Sequence, residues 1–349
     1  MHTNSFTIGN QKIGGGRSFI IGEVAQSHDG SLGMAHAYIH AIAKTGADAV
    51  KFQTHIAEAE SSPQEPWRVK FSPQDESRFA YWKRMEFTPE QWAGLKAHAE
   101  EKGLIFLSSP FSMQAVDLLE KMGMVAWKVA SGEVTNPTLI KRMAATGKPI
   151  LISSGMSSIE ELDVAVELAR SSFVPFAVMQ CTSSYPTPPE RIGLNLLTEY
   201  RDRYACPIGL SDHSGGIYAG LAAVSLGASL LEIHVTMSRE MFGPDVIASI
   251  TTDELSKMVE GVRFIEKSLL NPVDKEASAT ELNDVRRIFT KSLYASEDLD
   301  VGTTIKINQI DMKKPGNGIP AKDVDKIIGK VVSNRIPKGC IIKYTDFLD

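Results

Sequence analysis

Residues 126–154, AWKVASGEVTNPTLIKRMAATGKPILISS, contain two apolar runs, one ending in Lys128 to Ser131 and the other in Ser153-Ser154. Between them lies a helix-like stretch closed by Gly147. A glycine just ahead of a strand is the expected helix terminator. The same unit recurs outward in both directions. Other apolar runs end at Glu23, Lys51-Phe52-Gln53, Ser108-Ser109, Gln180-Cys181-Thr182, Ser211-Asp212-His213 and Glu232 to His234. Strands are therefore predicted at residues 18–25, 47–53, 104–109, 126–131, 149–154, 176–182, 207–211 and 229–235. Several are almost continuously apolar, as parallel strands buried on both faces require. Residues 34–45, 89–102 and 159–170 show the helical period. Eight strand–helix units in roughly 250 residues predict an α/β fold, a (β/α)8 TIM barrel with its chemistry at the carboxyl ends of the strands. An open doubly wound sheet would need a Gly-rich phosphate turn after an early strand. Here Gly14-Gly15-Gly16 precede the first strand and read as a flexible lead-in.

The expected organisation is a lead-in (1–17), a barrel (18–270), a linker (271–285) rich in small and polar residues, and a small β-rich domain (286–349). The last has short β-like runs at 292–295, 331–332 and 341–342, with turns at Pro315-Gly316-Asn317-Gly318 and Pro337-Lys338-Gly339. Residues 58–84 break the barrel rhythm after the second strand and carry Trp67, Tyr81 and Trp82. A long insertion on the catalytic face predicts a lid or substrate-binding loop, against the plainer reading of a surface excursion.

Composition narrows the function classes. Of 349 residues, 43% are hydrophobic and 23% charged, as in an ordinary globular protein. The net charge of −5, without a block of Lys and Arg, argues against a nucleic-acid groove. Cys181, Cys206 and Cys340 lack metal-ligand spacing and make no disulfide framework, so a reduced, cytoplasmic setting is expected. No signal peptide or membrane span is expected.

The strand ends carry two constellations. His213 and His234 end neighbouring strands about 4.8 Å apart, where two imidazoles can share a divalent ion or simply hydrogen-bond in a polar mouth. Lys51, Lys128, Ser109, Ser131, Ser153 and Ser211 suit a phosphate-bearing anion, with ammonium groups neutralising it and hydroxyls donating. Either lysine could instead form a Schiff base, or pair with Glu133 or Glu232. Glu23 fits a general base or a lysine partner. His28 is a further polar contributor or a loop-fixing residue. Asp245 is a polyol acceptor or an ordinary turn residue.

At these positions the chain resembles the sialic acid synthases over essentially its whole length. The matching segments are Gly22 to Gly30, Lys51-Phe52-Gln53-Thr54, Ser109-Pro110-Phe111, Lys128 to Glu133, Ser154-Gly155-Met156, and Cys181 to Thr187. Gly209 to Ser214, Glu232-Ile233-His234 and Gly243-Pro244-Asp245 continue the match. The tail, with Lys314 to Gly318 and Ile336 to Gly339, resembles the family's antifreeze-like (SAF) domain.

The resemblance implies a transferase that condenses phosphoenolpyruvate with N-acetylmannosamine or a related N-acylated hexosamine. The products would be a nine-carbon 2-keto acid and inorganic phosphate. It implies that His213 and His234 hold Mn2+, Mg2+ or Co2+, and that Glu23 transfers a proton. Phosphoenolpyruvate would be held by Lys51, Ser109, Lys128, Ser131, Ser153 and Ser211. The sugar would meet Gln53, Tyr185 and Asp245, with the far end shaped by residues 58–84. It further implies a domain-swapped homodimer in which the segment around Lys314 covers the partner's sugar site. The family usually has Arg where this chain has Lys314. Ser27 replaces the usual Asn, and Ser109 a frequent Thr. These departures leave open a diacetamido-trideoxy acceptor of the legionaminic type. A Schiff-base pyruvate lyase and a non-catalytic carbohydrate-binding barrel are the alternatives from other classes.

Overall fold

The computed structural model describes residues 5–348. Eight parallel strands form the centre: β1 (Phe19–Ala25), β2 (Ala49–Thr54), β3 (Ile105–Pro110), β4 (Trp127–Val129), β5 (Ile150–Ser153), β6 (Phe176–Cys181), β7 (Ile208–Asp212) and β8 (Leu230–Thr236). The ladders run β3-β2-β1-β8-β7-β6-β5-β4. β3 and β4 lie side by side at the remaining seam, which all but closes the ring. Every residue of β1 and β8 is buried, as expected where one face packs in the barrel and the other against helices.

The helices are set by local signals. Thr88, Ser158 and Thr251 each form a reciprocal capping box with the residue three positions on, opening the helices Pro89–Glu101, Ile159–Ser171 and Thr252–Leu270. Among the described residues no helix is long and apolar enough to cross a membrane.

Three expectations are corrected. The lead-in is not a flexible tail where it is described. Phe6–Ile8 and Gln11–Ile13 form an antiparallel hairpin whose Ile8 and Ile13 are fully buried in the barrel core. Gly9 and Gly14 approach Ile105 and Pro207, at the amino ends of β3 and β7, so the hairpin covers the end of the barrel opposite the catalytic face. The hairpin was missed because three-residue strands are too short to show a period. Residues 1–4 of the lead-in lie outside the described residues. The linker is also structured, since Lys275–Glu281 and Asn283–Phe289 are helical and Asp274 caps the first. The strand predicted at 126–131 is shorter, giving way to a 3-10 turn at Ser131–Glu133.

The chain divides into two compact units at Asn271/Pro272. In the second, Ser292–Ala295 pairs antiparallel with Ile310–Lys313, and Val331, Val332 and Ile341 make isolated bridges. Its own core includes Leu293, Leu299, Ile305, Ile319, Ile327 and Ile342.

The insertion after β2 is built around the helix Arg78–Met85, capped by Ser77. Tyr81, Trp82 and Met85 bury with Ala57, and Trp67, Phe71 and Phe79 pack against them. Arg84 ties the helix down: Nη2 donates to Asp75 Oδ2 at 2.7 Å and Nη1 to the Asp29 carbonyl at 2.7 Å. Gly30 is required beside this contact, because its φ is +76° and a Cβ there would stand 2.4 Å from the Arg84 carbonyl oxygen.

The Arg84 guanidinium holds the Asp75 carboxyl below its usual range. A depressed carboxyl contributes stability above its unfolded pKa and loses it as pH falls through the folded value. Asp75→Asn should therefore cost about 1–2 kcal/mol at neutral pH, the scale of a charge-assisted hydrogen bond. The gap to the unaltered protein should close on acidification. Urea melts across the acid range read this, and equal stability at neutral pH would show that the pair does not anchor the insertion.

Candidate active site

Side chains along a strand alternate faces, so residues two apart share one. Lys51 and Gln53 on β2, Ser211 on β7 with His213 just beyond it, and Glu232 and His234 on β8 project together into the barrel mouth. There they line one cavity of about 650 Å3 with Glu23, Ser109, Lys128, Ser131, Ser153, Tyr185 and Asp245. That volume suits small-molecule substrates. All the expected barrel site residues are thus in one place. Lys314 belongs to the second unit, where its Nζ stands 5.1 Å from the Phe289 ring centre.

The floor is a buried chain of charge. Lys51 Nζ lies 2.9 Å from Glu23 Oε1 and 3.8 Å from Glu232 Oε1. Lys128 Nζ lies 3.4 Å from the same Glu232 oxygen. Hydroxyls complete it: Lys51 donates to Ser109 Oγ at 3.2 Å, Lys128 to Ser153 Oγ at 2.6 Å, and Ser211 to Glu232 at 3.1 Å. Of the two carboxylates weighed as lysine partners, Glu232 is the one used, while Glu133 accepts from Asn136.

Burial raises the Glu23 carboxyl, only partly offset by Lys51. Burial also pushes against Glu232, but Lys128 and Lys51 outweigh it and hold that carboxyl low. Lys51 is desolvated too, yet two carboxylates keep its ammonium firmly charged. Lys128 has a single nearby carboxylate, so burial dominates and lowers it. Glu23 Oε2 and Glu232 Oε2 are buried without a hydrogen-bond partner among the described residues. Such groups are costly unless protonated or met by a ligand.

A second network orients Glu23. Gln53 Nε2 donates to its Oε1 at 3.0 Å, and Gln26 Nε2 donates to Gln53 Oε1 at 2.6 Å. Gln26 also meets His55 Nε2 at 2.7 Å, and His55 Nδ1 donates to Glu60. The imidazole is stacked between Trp82 and Phe111, with ring centres 4.1 and 4.5 Å away. Sequence reading missed Gln26, His55 and Glu60. The only available signal was that Gln26 and His55 follow two polar strand ends.

His234 stands beside Glu23 on the neighbouring strand and His213 follows β7, their ring centres 5.1 Å apart. His213 Nδ1 donates to the Thr182 carbonyl at 2.9 Å, turning Nε2 toward the Tyr185 hydroxyl at 3.3 Å. Burial opposes a charge on His213, but Cys181 and the Thr182 carbonyl push it up to about 9. A cation bound there would compete with a proton. Burial holds His234 neutral, well below its usual range. No group of three His, Cys, Asp or Glu side chains fit for a metal occurs among the described residues. The two imidazoles fit a divalent ion only if water or substrate fills its other positions, with the Thr182 contact serving as outer-shell orientation.

His28 is not part of the mouth. It is buried against Phe87 at 4.8 Å, its Nδ1 accepts from the Gly30 N–H, and burial with nearby His55 and Arg84 lowers it to about 3. It fixes the loop as a neutral ring. The insertion contributes a residue that no pattern in the chain singles out. Arg68 donates to Asp245 Oδ1 at 2.8 Å and lies 4.3 Å over the Tyr185 ring centre.

Because two buried lysines share Glu232, Glu232→Gln should destabilise the fold by roughly 3–5 kcal/mol. Lys128→Met leaves Glu232 paired with Lys51 and should cost clearly less. Urea denaturation at neutral pH compares them, and equal losses would contradict the shared-partner arrangement.

The sequence profile of the NeuB family matches residues 38–274, and that of the SAF domain residues 290–348. The N,N'-diacetyllegionaminic acid synthase of Campylobacter jejuni is 32% identical over 94% of this chain and 99% of its own. The N-acetylneuraminate-9-phosphate synthase of Homo sapiens is 32% identical over 90% and 88%. The solved N-acetylneuraminic acid synthetase of Leptospira borgpetersenii superposes with a TM-score of 0.72 at 32% identity, covering 81% of this chain and 96% of that one. A barrel mouth built on strand-end lysines, serines, Glu23 and two histidines, followed by an SAF domain, belongs to a chain that is a member of the NeuB family.

Proposed function

We propose that this protein condenses phosphoenolpyruvate with an N-acylated mannosamine-type sugar, forming a nonulosonic acid and inorganic phosphate. The observation that carries the reading is the convergence of Lys51, Lys128 and four serine hydroxyls with Glu23 and two imidazoles in one cavity. The names of the relatives support the product class.

In this reading the two ammonium groups and Ser109, Ser131, Ser153 and Ser211 hold the phosphate and carboxylate of phosphoenolpyruvate. Gln53, Tyr185 and Asp245 orient the open-chain sugar with its aldehyde toward carbon 3. Carbon 3 attacks the aldehyde carbon, and the aldehyde oxygen takes a proton. Water then adds to carbon 2 and gives up a proton. Cleavage of the bond between carbon 2 and the phosphate oxygen then expels phosphate, which takes up the proton of the carbon 2 hydroxyl and leaves the 2-keto acid. Glu23, with a raised carboxyl and one unpartnered oxygen, is the group suited to carry a proton here. His213 and His234 would hold Mn2+, Mg2+ or Co2+, which would polarise the aldehyde. We also propose a cytoplasmic, domain-swapped homodimer, with Lys314 of one chain at the sugar site of the other.

The lowered Lys128 ammonium is the one feature favouring a Schiff-base pyruvate lyase instead. Borohydride trapping with pyruvate separates the readings, because only the lyase is labelled.

Phosphate release from phosphoenolpyruvate should require both an acylated hexosamine and a divalent metal. A folded, metal-loaded protein inactive with a broad sugar panel would overturn the reading. Glu23→Gln should lower kcat by about 10²–10⁴, the range of general acid–base catalysis. The KM for phosphoenolpyruvate should change little. An undiminished kcat would remove Glu23 from proton transfer.

A further inference from the structure

The hydrogen bonds from Glu23 through Gln53, Gln26 and His55 to Glu60 have a direction that their ends decide. Glu23 Oε1 faces the Lys51 ammonium at 2.9 Å, so it accepts. At the far end Glu60 is a carboxylate, with no proton to give. A chain between two acceptors needs one member that donates both ways, and an amide NH2 can do so. Gln26 fills that place, its Nε2 lying 2.6 Å from Gln53 Oε1 and 2.7 Å from His55 Nε2. Gln53 Oε1 and His55 Nε2, themselves 3.2 Å apart, are two acceptors served by the one NH2. On one side Gln53 donates from Nε2 to Glu23 Oε1 at 3.0 Å. On the other, His55 donates from Nδ1 to Glu60 Oε1 at 2.5 Å, which puts its ring proton on Nδ1.

The reverse direction fails step by step. A proton on His55 Nε2 would face the Gln26 NH2 unless that amide turned over. The turned amide would set its oxygen against Gln53 Oε1, so Gln53 would have to turn as well. Gln53 would then offer its carbonyl to Glu23 Oε1, acceptor against acceptor. The ring of His55 is fixed in its plane between Trp82 and Phe111, tilted only 20° and 16° from them. Gln26 and His55 are each 4% exposed, which leaves little water to supply a missing bond.

We propose that Gln26 and His55 are positioning residues for proton transfer by Glu23. The double donor Gln26 and the Nδ1–H ring of His55, held by Glu60, keep the Gln53 amide turned with its NH2 on Glu23. Glu23 Oε1 is thereby committed as an acceptor. The proton travels by Oε2, the oxygen without a partner among the described residues. Both residues act through Gln53 rather than on the substrate. Through Glu60, on the short helix Ala57–Glu60, the insertion takes part in that orientation. The inference rests on the condensation reading, in which Glu23 carries a proton.

Long-range proton–nitrogen NMR of histidine-labelled protein at about pH 8, where an ordinary imidazole is neutral, reads the tautomer. His55→Gln identifies the signal, and the proton should be on Nδ1. Glu60→Ala should release it to a mixture with the Nε2–H form. The same variant should lower kcat for phosphate release about tenfold, the worth of one hydrogen bond. KM for phosphoenolpyruvate should stay within about twofold, because the lysines and serines are untouched. Glu60→Gln, whose amide oxygen still accepts from Nδ1, should keep the tautomer and most of kcat. Gln26→Glu, similar in shape but unable to donate both ways, should lose at least as much as Glu60→Ala. Glu60 Oε2 is already buried without a partner among the described residues, so Glu60→Ala should stay folded, and a thermal melt checks this. A proton on Nε2 in the unaltered protein, or full kcat in Glu60→Ala and Gln26→Glu, overturns this inference and leaves the condensation reading standing. An unaltered, metal-loaded protein that turns over no acylated hexosamine overturns the condensation reading and this inference with it.

Discussion

The chain Glu23–Lys51–Glu232–Lys128 is the constraint on which the rest depends. Four ionisable groups lie in the barrel interior, none more than 4% exposed. Removing an ion from water costs several kcal/mol, so each is tolerable there only beside an opposite charge or in neutral form. The chain joins strands β1, β2 and β8 to β4 across the ring. A slip of any of these strands by one residue would turn its charge outward into the helix layer and strand its partner. The same contacts that gather the ammonium groups in the barrel mouth therefore also hold the strands in register.

The chain is uneven, and the unevenness gives each member a different character. Lys51 sits between two carboxylates and stays charged, whereas Lys128 has one and is weakened. Glu232 sits between two lysines and stays ionised, whereas Glu23 has one and is raised. One carboxyl suited to carrying a proton and one suited to staying charged arise from the same residue type by placement. The Gln53–Gln26–His55–Glu60 network then fixes Glu23 in orientation through two amides, a ring held between two aromatics and the Glu60 side chain.

The insertion is built separately from the barrel and tied to it by two arginines as well as by the contacts of Glu60 and Trp82 with His55. Arg84 secures its base through Asp75 and the Asp29 carbonyl, and Arg68 reaches over the mouth to Asp245. Its aromatic side chains form a small core of their own. The barrel floor thus keeps its charge arrangement independently of the insertion's own small core.

Much of this was legible in the chain alone. Apolar runs ending in Lys51, Ser109, Lys128, Ser153, His213 and His234 determined the strands, their order and the address of the site, because strand formation follows a local pattern and a parallel barrel displays its strand ends on one face. The residues expected at the barrel mouth did converge there. Tertiary structure alone decided who pairs with whom. Glu232 rather than Glu133 balances the lysines, since register and ring closure set those distances. Arg68 reaches Asp245 across 177 residues of sequence, from a segment with no periodicity to read. The hairpin at Phe6–Ile13 shows the same limit: its strands are too short to carry a pattern, and they are buried only because the end of the barrel is there to receive Ile8 and Ile13.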